Sequence, residues 1–253
     1  MISVENNDYH LFFKFIETYS PIGFRGIDPL DPLMVQLEAS TEKYSQFFYI
    51  ADIIQLQVLF TSKLSKILLG VEPKDINPHF FMQATHQDDL TRLNLGRSIV
   101  ISKAQDLFIK KKGYQVISTN FKIKRENGSY SDFLIQGYLF YASLPYETVY
   151  FLKIHTLIDW YKKIKKGYHY YIGENLSYLK YPDKKFLDMG IVFTHSEFNI
   201  IKLIAAGLSS SQIAEKLFIS KNTVNTHRVN ILRKTQKAHI FDVILDLKEQ
   251  GML

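Results

Sequence analysis

The chain has 253 residues, of which 46% are hydrophobic and 22% charged, proportions typical of a soluble globular protein with one large domain or two ordinary ones. Its 31 lysines and arginines exceed its 25 aspartates and glutamates, which gives a formal net charge of +6. Cysteine is absent, and this excludes disulfides, thiolate metal sites, cysteine nucleophiles and flavin photosensors that work through a cysteinyl adduct.

The N-terminal residues have neither the basic start nor the apolar run of a secretory signal. No window approaches the roughly 18 consecutive apolar residues that a membrane span needs. We therefore expect a cytoplasmic protein with no membrane partner.

The first 43 residues predict an N-terminal helical segment, 1–43, made of two helical pieces that prolines and glycines separate. A pair of strands follows, from Phe47 to Ala51 and from Leu56 to Phe60. A short helix then ends at Gly70, and a longer one, capped by Asp88 or Asp89, extends to about Lys112.

The strongest strand signal is a hairpin. Two alternating segments, 114–125 and 130–141, flank an Asn127-Gly128 pair, which favours a tight turn. A further strand is predicted over 146–154, and a short helix over 158–166. Two hairpins separated by helices predict one α+β domain.

This region, 44–157, resembles a PAS domain. The resemblance rests on the strand order and on two segments, His86-Gln87-Asp88-Asp89 and Phe121-Lys122-Ile123-Lys124-Arg125-Glu126-Asn127-Gly128-Ser129-Tyr130. It implies a PAS-like antiparallel five-stranded sheet with flanking helices. Such a domain senses a signal or mediates dimerisation, and its pocket can hold a small-molecule ligand. Residues 158–190, rich in Lys, Tyr and Gly, are interpreted as a linker.

The C-terminal residues predict a compact all-α unit of four helices. Thr194 and Glu197 have the spacing of a capping box, and the helix that they open stops at Gly207. A second helix is predicted from Ser210 to Leu217, where the small Ala214 allows close helix crossing. Ser220 is the predicted N-cap of a third helix, which contains no acidic residue.

The third helix has two stripes. Val224 and Ile231 belong to the predicted buried stripe, with His227 near it, whereas the outward stripe supplies the candidate base-facing residues, Asn225, Thr226 and Val229. The candidate phosphate contacts on the same helix are Lys221, Thr223, His227, Arg228 and Lys234.

The segment 191–253 resembles a LuxR-type helix-turn-helix domain. The matching residues are Thr194-x-x-Glu197, Ile204-Ala205-Ala206-Gly207-Leu208, Gln212-Ile213-Ala214-Glu215-Lys216-Leu217, Ile219-Ser220 and Thr223-Val224-Asn225-Thr226-His227. The resemblance implies a bacterial transcriptional regulator that binds double-stranded DNA as a homodimer. It also implies base contacts at 225, 226 and 229, and a dimer contact through a fourth helix over 240–250. The family often has Lys at the position of Asn225.

Two alternatives stay open: a quorum-sensing receptor for an acyl-homoserine lactone, and a protein-interaction module that has lost DNA binding. The first usually needs a tryptophan in its pocket, yet Trp160, the one tryptophan of the sequence, lies in the predicted linker. No catalytic, cofactor or phosphate-loop motif is present, so we expect no enzyme and no cofactor. His79 and His86 are the best metal candidates, but surface and capping roles explain them more simply, and no metal site is predicted.

Overall fold

The computed structural model describes residues 9–162, 167–249 and 252–253. The chain begins with the two predicted helices, α1 (His10–Tyr19) and α2 (Pro32–Lys43). Asp31 fixes the start of α2, because its carboxylate accepts the backbone N–H of Leu33 at 2.8 Å and Pro32 occupies the first helical position.

The centre of the structure is an antiparallel sheet. Its strands are β1 (Gln46–Asp52), β2 (Gln57–Thr61), β3 (Tyr114–Lys124), β4 (Tyr130–Ala142), β5 (Thr148–Leu157), β6 (Gly167–Gly173) and β7 (Ile191–Thr194). The spatial order is β2-β1-β5-β4-β3-β6-β7. The first five strands form the PAS-like sheet predicted from the sequence, with β1 and β2 in one hairpin and β3 and β4 in the other.

The sheet has seven strands rather than the predicted five. Both added strands come from sequence outside the predicted sheet, and β6 lies in the segment interpreted as a linker. Strand β6 pairs with β3, about fifty positions earlier, from Val116↔Gly173 to Thr119↔Tyr170. Because this partner is distant in sequence, β6 has no local turn signal. Residues 158–162 are not helical, and the rest of the helix predicted over 158–166 lies outside the described residues.

Three helices cover one face of the sheet: α3 (Leu64–Leu69), α4 (Pro78–Ala84) and α5 (Gln87–Lys110). The long helix α5 was predicted, but its capping residue was not. His86 is the N-cap, since its Nδ1 accepts the backbone N–H of Asp88 at 3.2 Å, so the helix begins one residue before the predicted acidic caps.

The two faces of the sheet bury separate cores. Alternate residues of a strand point to opposite faces. One set, including Phe48 and Tyr150, packs against α1 and α2, with Phe15 against Phe48 at a ring-centroid distance of 5.4 Å. The other set, including Phe47 and Phe133, packs against α3, α4 and α5.

The C-terminal part is helical, as predicted. The four predicted helices are α7 (His195–Ala205), α8 (Ser210–Leu217), α9 (Lys221–Thr235) and α10 (Ile240–Glu249); Gln250, the predicted end of the last helix, lies outside the described residues. A further helix, α6 (Lys184–Gly190), lies in the segment interpreted as a linker and was not predicted. Helices α7 to α10 enclose their own apolar core, and the chain as a whole is α+β. None of the helices in the described part of the chain is long and apolar enough to cross a membrane.

Candidate functional site

Helices α8 and α9 are joined by a tight turn that both helix ends stabilise. Helix α8 starts at a capping box of Ser209 and Gln212. Its last turn closes when the backbone N–H of Ile219 donates to the carbonyl of Ala214 at 3.0 Å. Ser220 then caps α9, accepting the backbone N–H of Thr223 at 3.0 Å. The turn therefore fixes the angle at which α9 leaves α8.

One face of α9 anchors it to the domain. Val224 and Ile231 are fully buried in the core, beside Ile213 and Ala214 of α8. Asn225, Thr226 and Val229 are exposed, and Val229 keeps 62% of its surface accessible although it is apolar. Successive residues of an α-helix turn by about 100°, so these three positions share the side opposite the buried one. The structure thus brings the three predicted base-facing residues onto one free face.

The two polar side chains of this face, Thr226 and Asn225, differ in their hydrogen bonds within the protein. The Thr226 hydroxyl donates to the carbonyl of Asn222 at 3.0 Å, leaving its methyl and its lone pairs for another molecule. The Asn225 amide has no hydrogen bond to any other described residue. It can therefore donate and accept at the same time.

Basic and hydroxyl side chains lie along both flanks of this face. Lys221 and Arg228, seven positions apart, fall on one flank, and Thr223 and His227 fall on the other. Lys221 and Thr223 are exposed, whereas His227 and Arg228 are half-buried. The candidate reading face (Asn225, Thr226 and Val229) thus lies between two rows of side chains whose chemistry suits phosphates, the arrangement that a helix in the major groove requires.

Lys234, the fifth predicted phosphate contact, has a different partner. Its ammonium Nζ lies 2.6 Å from Oε2 of Glu197, a buried residue of α7. Burial acts to raise the pKa of Glu197, but hydrogen bonds from Lys234 and from the backbone N–H of Thr194 outweigh it and lower that pKa. The same carboxylate completes the predicted capping box of α7. Lys234 therefore ties α9 to α7.

The helical unit is joined to the sheet through β6 and β7. Strand β7 pairs with β6, and Thr194, its last residue, is the N-cap of α7. Tyr168 of β6 belongs to the core of the helical unit: its ring contacts Phe198 at 4.7 Å, and its hydroxyl lies 3.0 Å from Nδ1 of His195. Sequence reasoning missed this connection because it assigned Tyr168 to a linker.

Arg92 of α5 also contacts Tyr168. Its guanidinium is buried, lies 4.7 Å from the Tyr168 ring centroid and forms an ion pair with Asp89 at 3.0 Å. It also donates from Nη1 to the hydroxyl of Thr119 at 2.9 Å. A buried arginine with this many partners holds α5, β3 and β6 in a fixed relation.

A cavity of about 130 Å³ lies between the sheet and helices α4 and α5. Its walls are mostly apolar and aromatic, with a few polar and charged groups; they include Tyr49, Ile53, Phe81, Leu93, Gly96, Val100, Ile135, Phe151 and Tyr170. Leu56 and Ile101, which also line it, are exposed, so the cavity reaches the surface. Trp160 is exposed and does not line it.

Three charged residues line this cavity: Asp52, Arg97 and Lys153. The Asp52 carboxylate is engaged, accepting the Thr148 hydroxyl at 2.7 Å and the Tyr146 hydroxyl at 3.1 Å. Lys153 is half-buried, and burial, with a contribution from Arg97, lowers the pKa of its ammonium to about 8. Sequence reasoning did not single out either cation, because Lys153 lies in the middle of an apolar strand.

Comparison with known proteins identifies the C-terminal unit. Residues 192–245 match the model of the family described as bacterial regulatory proteins, luxR family. The C-terminal helices are thus a LuxR-type helix-turn-helix domain, and the sequence prediction is confirmed.

Two curated relatives match part of the chain. The chain is 28% identical over 102 residues to the "Virulence factors putative positive transcription regulator BvgA" of Bordetella pertussis. The aligned region covers 40% of this chain and 48% of that protein. It is 32% identical over 82 residues to the fimbriae Z protein of Escherichia coli. Here the aligned region covers 32% of this chain and 39% of that protein. The chain spans about half the length, or less, of these curated relatives.

Two solved structures align with the chain, one with most of it and one with less than half of it. A dimer of VqmA from Vibrio cholerae, in the absence of target DNA, aligns with a TM-score of 0.36 and 11% identity, covering 85% of this chain and 88% of that one. The PAS-B domain of Cycle from Drosophila melanogaster aligns with a TM-score of 0.34 and 15% identity, covering 44% of this chain and 98% of that one.

Proposed function

We propose that this chain is a sequence-specific transcriptional regulator that binds double-stranded DNA through α9, under the control of its PAS-like N-terminal region. The observation that carries the proposal is the free face of α9, whose opposite face is locked into the core by Val224 and Ile231. Val229 is exposed although it is apolar, and the Asn225 amide has no hydrogen bond to another described residue; both side chains suit the edges of base pairs. The proposed function is not enzymatic.

Side-chain chemistry assigns a role to each exposed position. Asn225 can donate to and accept from adenine at N6 and N7, and Thr226 and Val229 can contact thymine methyl groups. Lys221 and Arg228 suit the phosphates of one strand, and the flank of Thr223 and His227 suits those of the other. The start of α9 adds free backbone N–H groups that favour a phosphate.

Control by the N-terminal region is proposed to begin at the cavity, where a small molecule binds. Tyr170 lines the cavity and also packs against the core of the helical unit. Thr119 lines it too and accepts a hydrogen bond from Arg92, which stacks on Tyr168. A ligand that displaces either residue therefore acts on groups that support α7.

We further propose a homodimer that forms through α10. Phe241 and Leu245 of this helix are 73% and 57% exposed, and residues four positions apart share one helix face. Two such faces buried against each other remove four large apolar side chains from water. As a regulator of bacterial promoters, the dimer acts in the cytoplasm; sedimentation equilibrium measures its assembly.

The proposed domain division assigns 191–253 to DNA binding and 44–157 to sensing, preceded by the helical segment 1–43. The pairing of β6 with β3 supports adding this strand to the sensing domain, although it lies within 158–190. That pairing leaves less of the segment free to act as a linker.

The test is selection of bound fragments from genomic DNA with the full chain, followed by measurement of affinity for the selected site and for random duplex. Asn225→Ala should weaken binding to the selected site by about 1–3 kcal/mol and change binding to random DNA little, because the lost contact is to a base. Asn94→Ala, on an exposed position of α5, is the matched control.

Two results would contradict the proposal in different ways. Equal losses on both duplexes would make Asn225 a backbone contact, and the reading face would have to be reassigned. An affinity that does not change with salt, or no binding at low salt, would oppose DNA binding altogether, since neutralising phosphates makes affinity fall steeply with salt. The protein-interaction alternative would then be favoured.

A further inference from the structure

The charges in the cavity do not balance. Lys153 and Arg97 both line it, and neither forms an ion pair with a carboxylate among the described residues. Arg97 has one weak hydrogen bond, from Nη1 to the carbonyl of Pro78 at 3.4 Å. Two cations that share an apolar site repel each other and are poorly solvated, so they create a positive potential inside the cavity.

The protein compensates this charge only in part. The Lys153 ammonium lies 5.5 to 5.7 Å from the ring centroids of Tyr49, Phe151 and Phe81. Such cation–π contacts offset a fraction of the lost hydration, and they are weaker than a charge-assisted hydrogen bond. The third charged residue, Asp52, lies three positions beyond Tyr49 in β1, about 10 Å further along the strand.

Asp52 also has its oxygens occupied. The hydroxyls of Thr148 and Tyr146 and the backbone N–H of Gln55 donate to it at 2.7, 3.1 and 2.9 Å. A carboxylate with three donors has little capacity left for a distant lysine. The cavity therefore lacks an anion near Lys153.

The shape and size of the cavity limit what can supply that anion. A volume of about 130 Å³ is close to the roughly 150 Å³ of an apolar cavity that takes up benzene. Gly137 and Gly96, on opposite walls, widen it at two points: the ring of Phe151 would lie 2.3 Å from a Cβ on Gly137, and a Cβ on Gly96 would meet no atom within 4 Å.

We infer that the cavity binds a small aromatic monocarboxylate, with its ring among the aromatic walls and its carboxylate against Lys153 and Arg97. The inference rests on the proposed function of the cavity as a ligand site and specifies the chemical class of the ligand. The acid group replaces the missing anion, and the ring occupies apolar space that excludes larger or more polar molecules. A neutral ligand of the same shape leaves the two cations unpaired.

The experiment compares benzoate with benzamide, which has nearly the same size and shape but no charge, by calorimetric titration of the full chain at pH 7. Benzoate is expected to bind about tenfold more tightly, a factor that corresponds to 1.4 kcal/mol, because its negative charge pairs with two cations whereas the amide of benzamide is neutral. The pKa of the Lys153 ammonium, followed by NMR, should rise with benzoate and stay unchanged with benzamide.

Lys153→Met keeps the length of the side chain and should reduce the preference for benzoate several-fold, because Arg97 alone then faces the carboxylate, while benzamide binding is retained. Lys110→Met, which removes an exposed lysine of α5, should retain the preference. Equal affinities of the wild-type chain for the two probes would overturn the inference, as would a preference that is undiminished in Lys153→Met or no benzoate binding at millimolar concentrations. Affinity for the selected DNA is measured in parallel. A failure of the benzoate experiment would leave that result unchanged, so the ligand inference and the proposed DNA-binding function are tested separately.

Discussion

Lys153→Met should stabilise the folded chain in the absence of any ligand. Burial lowers the pKa of Lys153 from 10.5 to about 8, so the folded state disfavours the ammonium that the unfolded chain carries freely. A difference of this size corresponds to about 3 kcal/mol. Because the side chain is half-buried and water screens part of the effect, we take this as an upper bound and expect a gain of about 1–3 kcal/mol at pH 7. Methionine fills the same volume without a charge.

The stabilisation by Lys153→Met should depend on pH. Since the folded pKa lies below the unfolded one, the unfolded chain binds more protons, and the stability of the wild-type chain rises with pH as the lysine loses its proton. The advantage of Lys153→Met is therefore largest below pH 8 and should shrink by about 1 kcal/mol between pH 7 and pH 9. Tyrosines that titrate at high pH are shared by both chains and cancel in the difference.

Urea denaturation at a series of pH values measures this difference. The control, Lys110→Met, removes an exposed lysine and should change the free energy of unfolding little at any pH. A destabilised Lys153→Met chain, or an advantage that does not shrink toward high pH, would refute the reasoning. Lys153 would then have a partner in solution, and the positive potential assigned to the cavity would be absent.

Two further substitutions test the helix-turn-helix region. Phe218→Gly should raise the free energy of unfolding, measured by urea denaturation, by about 0.5–1 kcal/mol. Phe218 adopts a left-handed φ of 55° and is 96% exposed, so removing its side chain relieves backbone strain without loss of burial. A loss of stability would show that the ring packs in solution. Glu197→Gln should lower the free energy of unfolding by about 1–2 kcal/mol at pH 7, because Lys234 loses its ion pair. The difference between the two chains should disappear at acidic pH, where Glu197, whose pKa is lowered, becomes protonated. A difference that persists at low pH would show that packing, rather than charge, is responsible.

Features with a local cause were predictable from the sequence. The hairpin around Asn127 and Gly128 and the capping box of Thr194 and Glu197 were predicted and confirmed, because a turn or a cap depends on residues within a few positions of each other. The start of α5 was assigned to the wrong residue for a related reason. Histidine is an uncommon cap, and the adjacent acids, which lie in the first turn, gave the stronger signal.

Features with a distant cause were missed. Strand β6 depends on pairing with β3, and its glycines, tyrosines and histidine resemble a polar connector until that pairing is known. Lys153 and Arg97 lie in different elements, and their shared cavity exists only once α5 covers the sheet. The ion pair of Lys234 with Glu197 illustrates the same limit, since the two residues are 37 positions apart. The predicted phosphate contact of Lys234 stays a prediction.

In the proposed function, the position of β6 determines how ligand binding in the cavity is communicated to the DNA-binding helices. Tyr168 and Tyr170 are two positions apart, so both point to the face of the sheet that α5 covers. Tyr170 lines the cavity and Tyr168 contacts Phe198 of α7, while Arg92 of α5 stacks on Tyr168. A ligand changes DNA binding only if its contacts differ between two arrangements of the protein. The arrangement most directly open to it is the packing of α5 on these two rings, which involves no residue of the exposed face of α9.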